Sequence, residues 1–340
     1  MPLLAPVITI TLPAMVMLVS FHMTVERVGK TYYACYAMNL SQSSQIFDPL
    51  SDVLTVLDAR ATRRTRFEGS GDWALAFPAL ERLKFVAVLR GAGWLLLPDT
   101  APQRLETGDC CLIGRTAYVI ASDPALAPID GLPLYAEGND LVRLKGDDTV
   151  TLGGGISFAP GNAAFLLDML PAFMHVSAMS TGAATITALL GLLDAEAEQN
   201  SMGREIVTAR LAEVLMIHAI RTFASASDTT SGWLGALADP RIGRAIQCFH
   251  SDIARPWTVA DLAAEAGMSR AAFSSAFACR VGQAPFAYMR NWRMTRARAA
   301  LAERHSSIAD VAASVGYTSQ SAFGHAFRQT FDRAPRQHTS

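Results

Sequence analysis

Arginine is concentrated at one end of this 340-residue chain. Residues 241–340 contain 13 arginines, no lysine and 6 acidic residues, a formal charge of +7, whereas residues 1–240 carry −8. Guanidinium groups bind phosphate oxygens through paired N–H donors. The net charge of −1 therefore conceals a basic domain whose chemistry suits a nucleic-acid partner.

Cysteine and histidine are the other residue types that could form a reactive site. The five cysteines show no CxxC or Cys/His metal spacing, and none of the seven histidines lies within residues 38–174. This excludes a histidine-based metal centre in that segment, and we expect no metal and no cofactor. The unpaired count is also typical of reduced thiols in a cytoplasm.

Cys110 and Cys111 are adjacent, so on a strand they point to opposite faces and at most one faces an interior. Two interpretations stay open for this pair. Each cysteine is a small buried hydrophobe, or the pair senses oxidants, with Arg115 lowering a thiol pKa.

The secondary-structure elements that must position these residues show two sequence patterns, one helical and one strand-like. Hydrophobic residues make up 51% of the chain and charged residues 17%, which excludes a disordered protein and, with the length, predicts two domains. Residues 49–60 have helical spacing, and 62–160 show short apolar runs broken by turns, typical of an antiparallel sandwich or barrel. Long helices are predicted over 163–170, 183–199 and 205–223, before a small-polar linker at 225–231.

The basic part contains a helix-turn-helix pattern. Thr258 caps a predicted helix over 259–266, with Asp261 at the third position, and Gly267 ends it. Ser269 then caps a second helix over 270–281, which Gly282 ends. A helix, a short glycine turn and a helix are the geometry of a DNA-reading motif.

The same pattern repeats 50 residues later. Ser307 and Asp310 begin one helix, Gly316 lies in the turn, and Ser319 caps a helix over 320–331. Phe323 and Phe327 take the places of Phe273 and Phe277. A helix over 285–303 joins the two units and spans about 28 Å, so the two recognition helices can enter successive major grooves, ~34 Å apart.

This tail resembles the AraC/XylS family of transcription regulators. The resemblance is carried by AAEAGMSR at 263–270, the phenylalanines and Pro285 after it, ASVGY at 313–317, Ser319 and Pro335, and it covers the last ~100 residues. It implies sequence-specific binding to a double-stranded DNA operator, in a cytoplasmic and dimeric protein that contacts RNA polymerase if it is an activator.

The resemblance also implies which side chains meet DNA. The expected base-reading positions are Arg270, Ala271, Ser274, Ser275, Gln320, Ser321, Gly324 and His325. Arg suits guanine and Gln suits adenine, whereas the small residues reach few base edges, so shape readout is expected to supply part of the specificity. The expected phosphate contacts are Thr258, Ser269, Arg280, Arg290, Arg293, Arg296, Ser319 and Arg328, and Arg298 is a further candidate.

The front part resembles the cupin-containing sensor domain of one AraC subgroup, through GDWAL at 71–75, GDC at 108–110 and DPRIG at 239–243. The resulting fold class is α+β: an N-terminal antiparallel β cupin-like barrel with dimerisation helices, and a C-terminal all-α domain of two helix-turn-helix units. The expected divisions are an extension (1–47), the sensor domain (48–170), the dimerisation region (171–226), a linker (227–240) and the DNA-binding domain (241–340). The sensed signal is a small molecule or a redox change.

Two other functions are weighed against this one. A cupin-fold enzyme with a fused helical domain is disfavoured by the lack of barrel histidines. A membrane-tethered regulator would use the apolar residues 3–21, but Pro6 and Pro13 interrupt them and no basic residues precede them. We prefer no membrane contact, with residues 1–37 either disordered or untranslated ahead of a start at Met38.

Overall fold

A computed structural model describes residues 48–198, 201–226, 232–303 and 306–338. The expectations for the N-terminal extension, the start at Met38 and the apolar segment 3–21 lie outside the described residues. None of the helices within the described ranges is long and apolar enough to cross a membrane.

The front domain is built from eleven strands in the described chain. They are β1 (Arg60–Gly69), β2 (Ala74–Phe77), β3 (Leu83–Arg90), β4 (Ala92–Leu96), β5 (Gln103–Glu106), β6 (Cys110–Ile113), β7 (Tyr118–Ala121), β8 (Ile129–Asp130), β9 (Leu141–Leu144), β10 (Thr149–Ser157) and β11 (Phe173–Val176).

These strands form two sheets, ordered β11-β6-β3-β10-β1-β9 and β5-β4-β7-β2-β8. Most neighbours are antiparallel, but β9 pairs with β1, and β8 with β2, in parallel. The predicted strand-rich, cupin-like domain is therefore confirmed as a two-sheet arrangement, with these two parallel pairings added to the antiparallel ones. Because β11 pairs with β6, the sheet also extends past the predicted domain limit at residue 170.

Strand β6 shows how the sheets divide the core. All four of its residues are buried, and alternate side chains enter different apolar clusters, as the two-residue period of a strand requires. Cys110 and Leu112 face the helices, whereas Cys111 and Ile113 face the space between the sheets.

Eleven α-helices complete the described structure. They are α1 (Pro49–Val56), α2 (Ala163–Leu167), α3 (Ala183–Glu198), α4 (Arg204–Ala226), α5 (Trp233–Ala238), α6 (Ile242–Ser251), α7 (Val259–Glu265), α8 (Arg270–Val281), α9 (Pro285–Ala302), α10 (Ile308–Ser314) and α11 (Gln320–Phe331), with 3₁₀ helices at Pro133–Gly138 and Pro335–His338. Helix α5 falls in the predicted linker 227–240, and its Trp233 is fully buried, so the described part of that segment belongs to the core.

The two helix-turn-helix units form as the capping pattern predicts. Thr258 with Asp261, and Ser307 with Asp310, make reciprocal capping boxes at the starts of α7 and α10. Ser269 and Ser319 cap α8 and α11, and the phenylalanine pair on each of these helices is buried. Both units therefore present the same side of their second helix to solvent.

The glycines in the two turns differ in their surroundings, and this difference generates a stability prediction. Gly267 and Gly316 both have a positive φ, +62° and +83°, but a Cβ on Gly267 meets nothing, whereas one on Gly316 would lie 2.5 Å from the carbonyl oxygen of Ala254. We expect Gly267→Ala to cost about 1–2 kcal/mol of unfolding free energy through backbone strain alone. Gly316→Ala should cost at least about 1 kcal/mol more, through overpacking. Urea denaturation of both variants checks this, and equal losses would contradict it.

Candidate nucleic-acid interface and domain junction

Helix α8 has one buried face and one exposed face. Its buried side holds Phe273 and Phe277, whose ring centroids are 5.5 Å apart, and the Ser269 hydroxyl accepts a hydrogen bond from the Ala272 amide at 3.3 Å. The four predicted base-reading positions lie outside this core: Arg270, Ala271 and Ser275 are exposed, and Ser274 is half-buried. The structure therefore brings all four to the outward side of the helix N-terminal half.

Helix α11 repeats this arrangement with one difference. Gln320, Ser321 and His325 are exposed, but Gly324 is buried. Because it is a glycine, it offers only main-chain atoms at that position. A surface hollow runs beside Gln320, Ser321 and Gly324 and also includes Arg328 and Arg336. Arg336 was missed by the sequence reasoning, because the chain returns to α11 only through the C-terminal 3₁₀ helix.

The predicted phosphate-binding arginines separate into two groups. Arg328 is exposed, and Arg280 is exposed while pairing with Asp239 at 3.1 Å. Arg290 donates to the Gln329 side chain at 3.0 Å.

The remaining arginines of α9 are half-buried and bind other parts of the fold. Arg293 donates to the carbonyl oxygens of Ile253 and Arg255, at 2.8 and 2.6 Å. Arg296 lies 3.4 Å from a carboxylate oxygen of Asp52. Arg298 donates to Asn162 at 2.7 Å and stacks over a ring of α11, and burial lowers its pKa to about 10. The phosphate role expected for these three is not retained, because their guanidinium groups bind the front domain or the loop before α7.

Cys110 and Cys111 are fully buried. Burial, together with Asp109, raises the pKa of the Cys110 thiol to about 12 and raises the pKa of Cys111 as well. Arg115, expected to lower a thiol pKa, instead pairs with Glu81 and Asp168. The thiolate that oxidant sensing needs is therefore disfavoured, and the redox interpretation gives way to that of buried hydrophobes.

Known proteins resemble both halves of this molecule. A family model described as Cupin matches residues 48–225, and one described as Helix-turn-helix domain matches residues 262–339. A putative AraC-like transcription regulator of Streptomyces lividans is 38% identical over 293 residues, which cover 85% of this chain and 96% of that protein. This chain belongs to the AraC-type transcription regulators.

Other relatives of this AraC-type regulator are more distant. The HTH-type transcriptional regulator AlkR of Acinetobacter baylyi is 27% identical and covers 86% of this chain and 98% of that one. Among solved structures, an AraC-type DNA-binding protein of Chromobacterium violaceum is 27% identical over 31% of this chain and 93% of its own, with a TM-score of 0.29.

In the described ranges, no group of three or more His, Cys, Asp or Glu side chains could hold a metal ion.

A buried polar chain joins the sensor domain of this AraC-type regulator to its DNA-binding domain. Asp52, on α1, lies 2.8 Å from Nδ1 of His250 on α6. The other ring nitrogen, Nε2, lies 2.7 Å from the hydroxyl of Tyr288 on α9, and Nε1 of Trp233 donates to that hydroxyl at 3.0 Å. His250, Tyr288 and Trp233 are almost completely buried.

One arrangement of protons satisfies all the hydrogen bonds between these four side chains. Trp233 donates to the Tyr288 oxygen, the Tyr288 hydroxyl donates to Nε2 of His250, and Nδ1–H of His250 donates to the Asp52 carboxylate. A second proton on His250 would turn Nε2 into a donor and leave the Tyr288 proton without its acceptor. Burial lowers the pKa of His250 against the opposing effect of Asp52, so the neutral ring is the form that the junction holds.

Sequence reasoning missed this junction. Asp52 reads as a surface residue of an amphipathic helix, and His250 follows Phe249 in another, so neither spacing points to a partner 198 residues away. The signal available was His250 itself, which adjoins the apolar face of α6 beside Ile246 and Phe249.

The junction predicts an acid-sensitive stability. Because the folded pKa of His250 is lowered, the unfolded chain binds a proton that the folded chain excludes, so stability is full above about pH 6.5 and falls below it. We expect this group to contribute a loss approaching about 1.4 kcal/mol per pH unit below that value. Urea unfolding of wild type and His250→Gln between pH 7.5 and 5 measures it, and a pH slope unchanged by the substitution would contradict the assignment.

Proposed function

We propose that this regulator binds a double-stranded DNA operator through the outward faces of α8 and α11. The supporting observation is that the two units share one geometry. Each helix buries a phenylalanine pair, and the first turns after its serine cap expose the opposite face. These faces belong to the segment of charge +7, which attracts the phosphate backbone whatever the base sequence.

Individual roles follow from side-chain chemistry. Arg270 reads guanine and Gln320 reads adenine in the major groove, with His325 as a further hydrogen-bonding reader. The small side chains Ala271, Ser274, Ser275 and Ser321, and the main chain at Gly324, permit close approach and shape readout. Phosphate contacts come from the following residues: Thr258, Ser269, Ser319, Arg280, Arg290 and Arg328.

The front domain acts as the sensor in this proposal. A small molecule that alters its packing changes the fraction of molecules competent to bind DNA. The buried chain from Asp52 to Trp233 is the proposed route, because it ties a helix of the sensor domain to α9, the rod between the two helix-turn-helix units.

We also propose a homodimer formed through α3 and α4. Along α3 the exposed positions Ala184, Ala188, Gly191 and Ala195 accompany Leu192, which is 54% exposed. On α4, Ile206 is 70% exposed, and Val207 and Val214 are exposed one heptad apart. Small and apolar residues on adjoining helices fit close packing against a second copy of the same surface.

The cellular setting belongs to the same proposal. The regulator is cytoplasmic, contacts RNA polymerase if it activates, and has no catalytic activity. Full-length relatives carry transcription-regulator names, which favours this function over the cupin-fold enzyme.

The DNA proposal predicts a specificity change at single base positions. Arg270→Ala should weaken operator binding by about 1–3 kcal/mol and reduce the base preference at one operator position. Gln320→Ala should do the same at a position read by the second helix-turn-helix unit. Arg280→Ala is the matched control, because a lost phosphate contact weakens all sequences alike. Selection from a randomised operator library at fixed salt measures both effects, and uniform weakening by Arg270→Ala would show that Arg270 contacts phosphate instead.

The dimer proposal predicts that Leu192→Glu weakens self-association at least about tenfold, since a buried charge at an interface centre is poorly tolerated. Met179→Glu is the control, because Met179 is 92% exposed outside the two helices. Sedimentation of both variants checks the expectation. A dimer that survives Leu192→Glu with wild-type affinity would place the interface elsewhere.

A further inference from the structure

A cavity of about 220 Å³ lies in the sensor domain and is lined by residues of both sheets. Its walls are rich in rings, with Phe67, Phe77, Phe85, Tyr118 and Tyr135 all contributing. Phe77 and Tyr118 stack with centroids 5.0 Å apart and planes inclined by 21°. The cavity therefore offers a flat aromatic wall.

Three consecutive glycines of β10 form another part of the wall. A Cβ on Gly153 would lie 2.9 Å from the Thr65 hydroxyl, one on Gly155 would lie 2.8 Å from the Thr62 hydroxyl, and one on Gly154 would overlap the Phe85 ring. Three glycines weaken a strand, and they occur where a ligand or another backbone comes close. Here their lack of side chains makes room for Thr62, Thr65 and Phe85, which line the cavity with them.

The cavity is also positively charged. Arg63, Arg82 and Lys84 line it, and no carboxylate does. Arg63 is neutralised by Asp140, but among the described residues no carboxylate lies within 4 Å of Arg82 or Lys84. The Lys84 ammonium sits 4.9 Å from the Tyr118 ring centroid and 5.4 Å from that of Phe77.

This placement of Lys84 is unfavourable for its ammonium group. Burial, with Arg82 nearby, lowers the pKa of Lys84 to about 8. Contact with two ring faces compensates part of the lost hydration, but a half-buried cation that no carboxylate of the described residues neutralises still costs free energy. An anion in the cavity would remove that cost.

We propose that this cavity binds an aromatic monocarboxylate, whose carboxylate pairs with Lys84 and Arg82 and whose ring packs on Phe77 and Tyr118. The inference rests on the proposed sensing role of the front domain and adds the chemical class of its ligand. A carboxylate has two oxygens to offer to Lys84 and Arg82, whereas Arg63 is already paired with Asp140. A planar body matches the stacked rings of Phe77 and Tyr118 on one wall.

The test compares 1-naphthoate with its neutral isostere 1-naphthamide, by calorimetric titration of the full chain. We expect the acid to bind at least about tenfold more tightly, since a hydrogen-bonded charge pair is worth more than one tenfold step in affinity. Cyclohexanecarboxylate, which has the charge without the flat ring, should bind more weakly than benzoate.

Lys84→Met supplies the decisive variant, since it keeps the length of the side chain and removes the charge. It should abolish the preference for acid over amide while raising the melting temperature of the ligand-free protein. Lys145→Met, at an exposed lysine of the same domain, should change neither property. Arg82→Gln is a second variant with the same expected loss of preference.

Equal affinity for acid and amide, or an acid preference that persists in Lys84→Met and Arg82→Gln, would overturn the proposal. Operator binding is measured on the same preparations without ligand. Intact DNA binding with no acid preference would remove the ligand class and leave the regulator function standing. Acid binding without any DNA binding would do the reverse.

Discussion

The contact on which this structure depends is the buried hydrogen bond between Asp52 and His250. It is the point at which a helix of the front domain and a helix of the DNA-binding domain exchange a charge-assisted bond out of water. One apolar core continues across the same boundary, from Leu50 on α1 to Phe327 on α11. Apolar packing alone tolerates small sliding movements, whereas a polar pair in that core does not, because a misplaced partner leaves a buried charge unsatisfied. The pair therefore sets the orientation that the packing merely permits.

That constraint explains how the arginines of α9 are used. The helix carries four arginines in the part of the chain with the highest positive charge, and the sequence alone favours phosphate for most of them. Arg296 and Arg298 instead face Asp52 and Asn162 of the front domain, and Arg293 holds the loop before α7. The basic character of the domain is thus divided between DNA and the sensor. Asp52 on α1 thus competes with DNA phosphates for a guanidinium group. The opposite charges of the two halves meet in this contact.

Local sequence patterns predicted the features that depend on neighbouring residues, such as the ends of helices. The bounds of α8 and α11 follow from Ser269, Ser319 and the glycine or aspartate that ends each helix, since caps act within one turn. The two-unit tail, its buried phenylalanines and the strand-rich front were predicted for the same reason. The parallel pairings of β8 and β9 and the helix within the supposed linker were not, because they depend on contacts between distant segments. Lys84 illustrates the limit: its neighbours in sequence are strand residues, and only pairing across both sheets encloses it with Tyr118.

The geometry also restricts how a signal can act. Tyr288 belongs to α9, and α9 contacts both helix-turn-helix units and the front domain, so a change in its position moves the two recognition faces together rather than one at a time. The Trp233 end of the polar chain lies on α5, which packs against α6 and α8, and this adds a second path to the first unit alone. The first unit is therefore held by two connections to the junction and the second unit by one. A modest shift at Asp52 would accordingly reach both faces through α9, and the first unit would be restrained further by its attachment to α5 and α6.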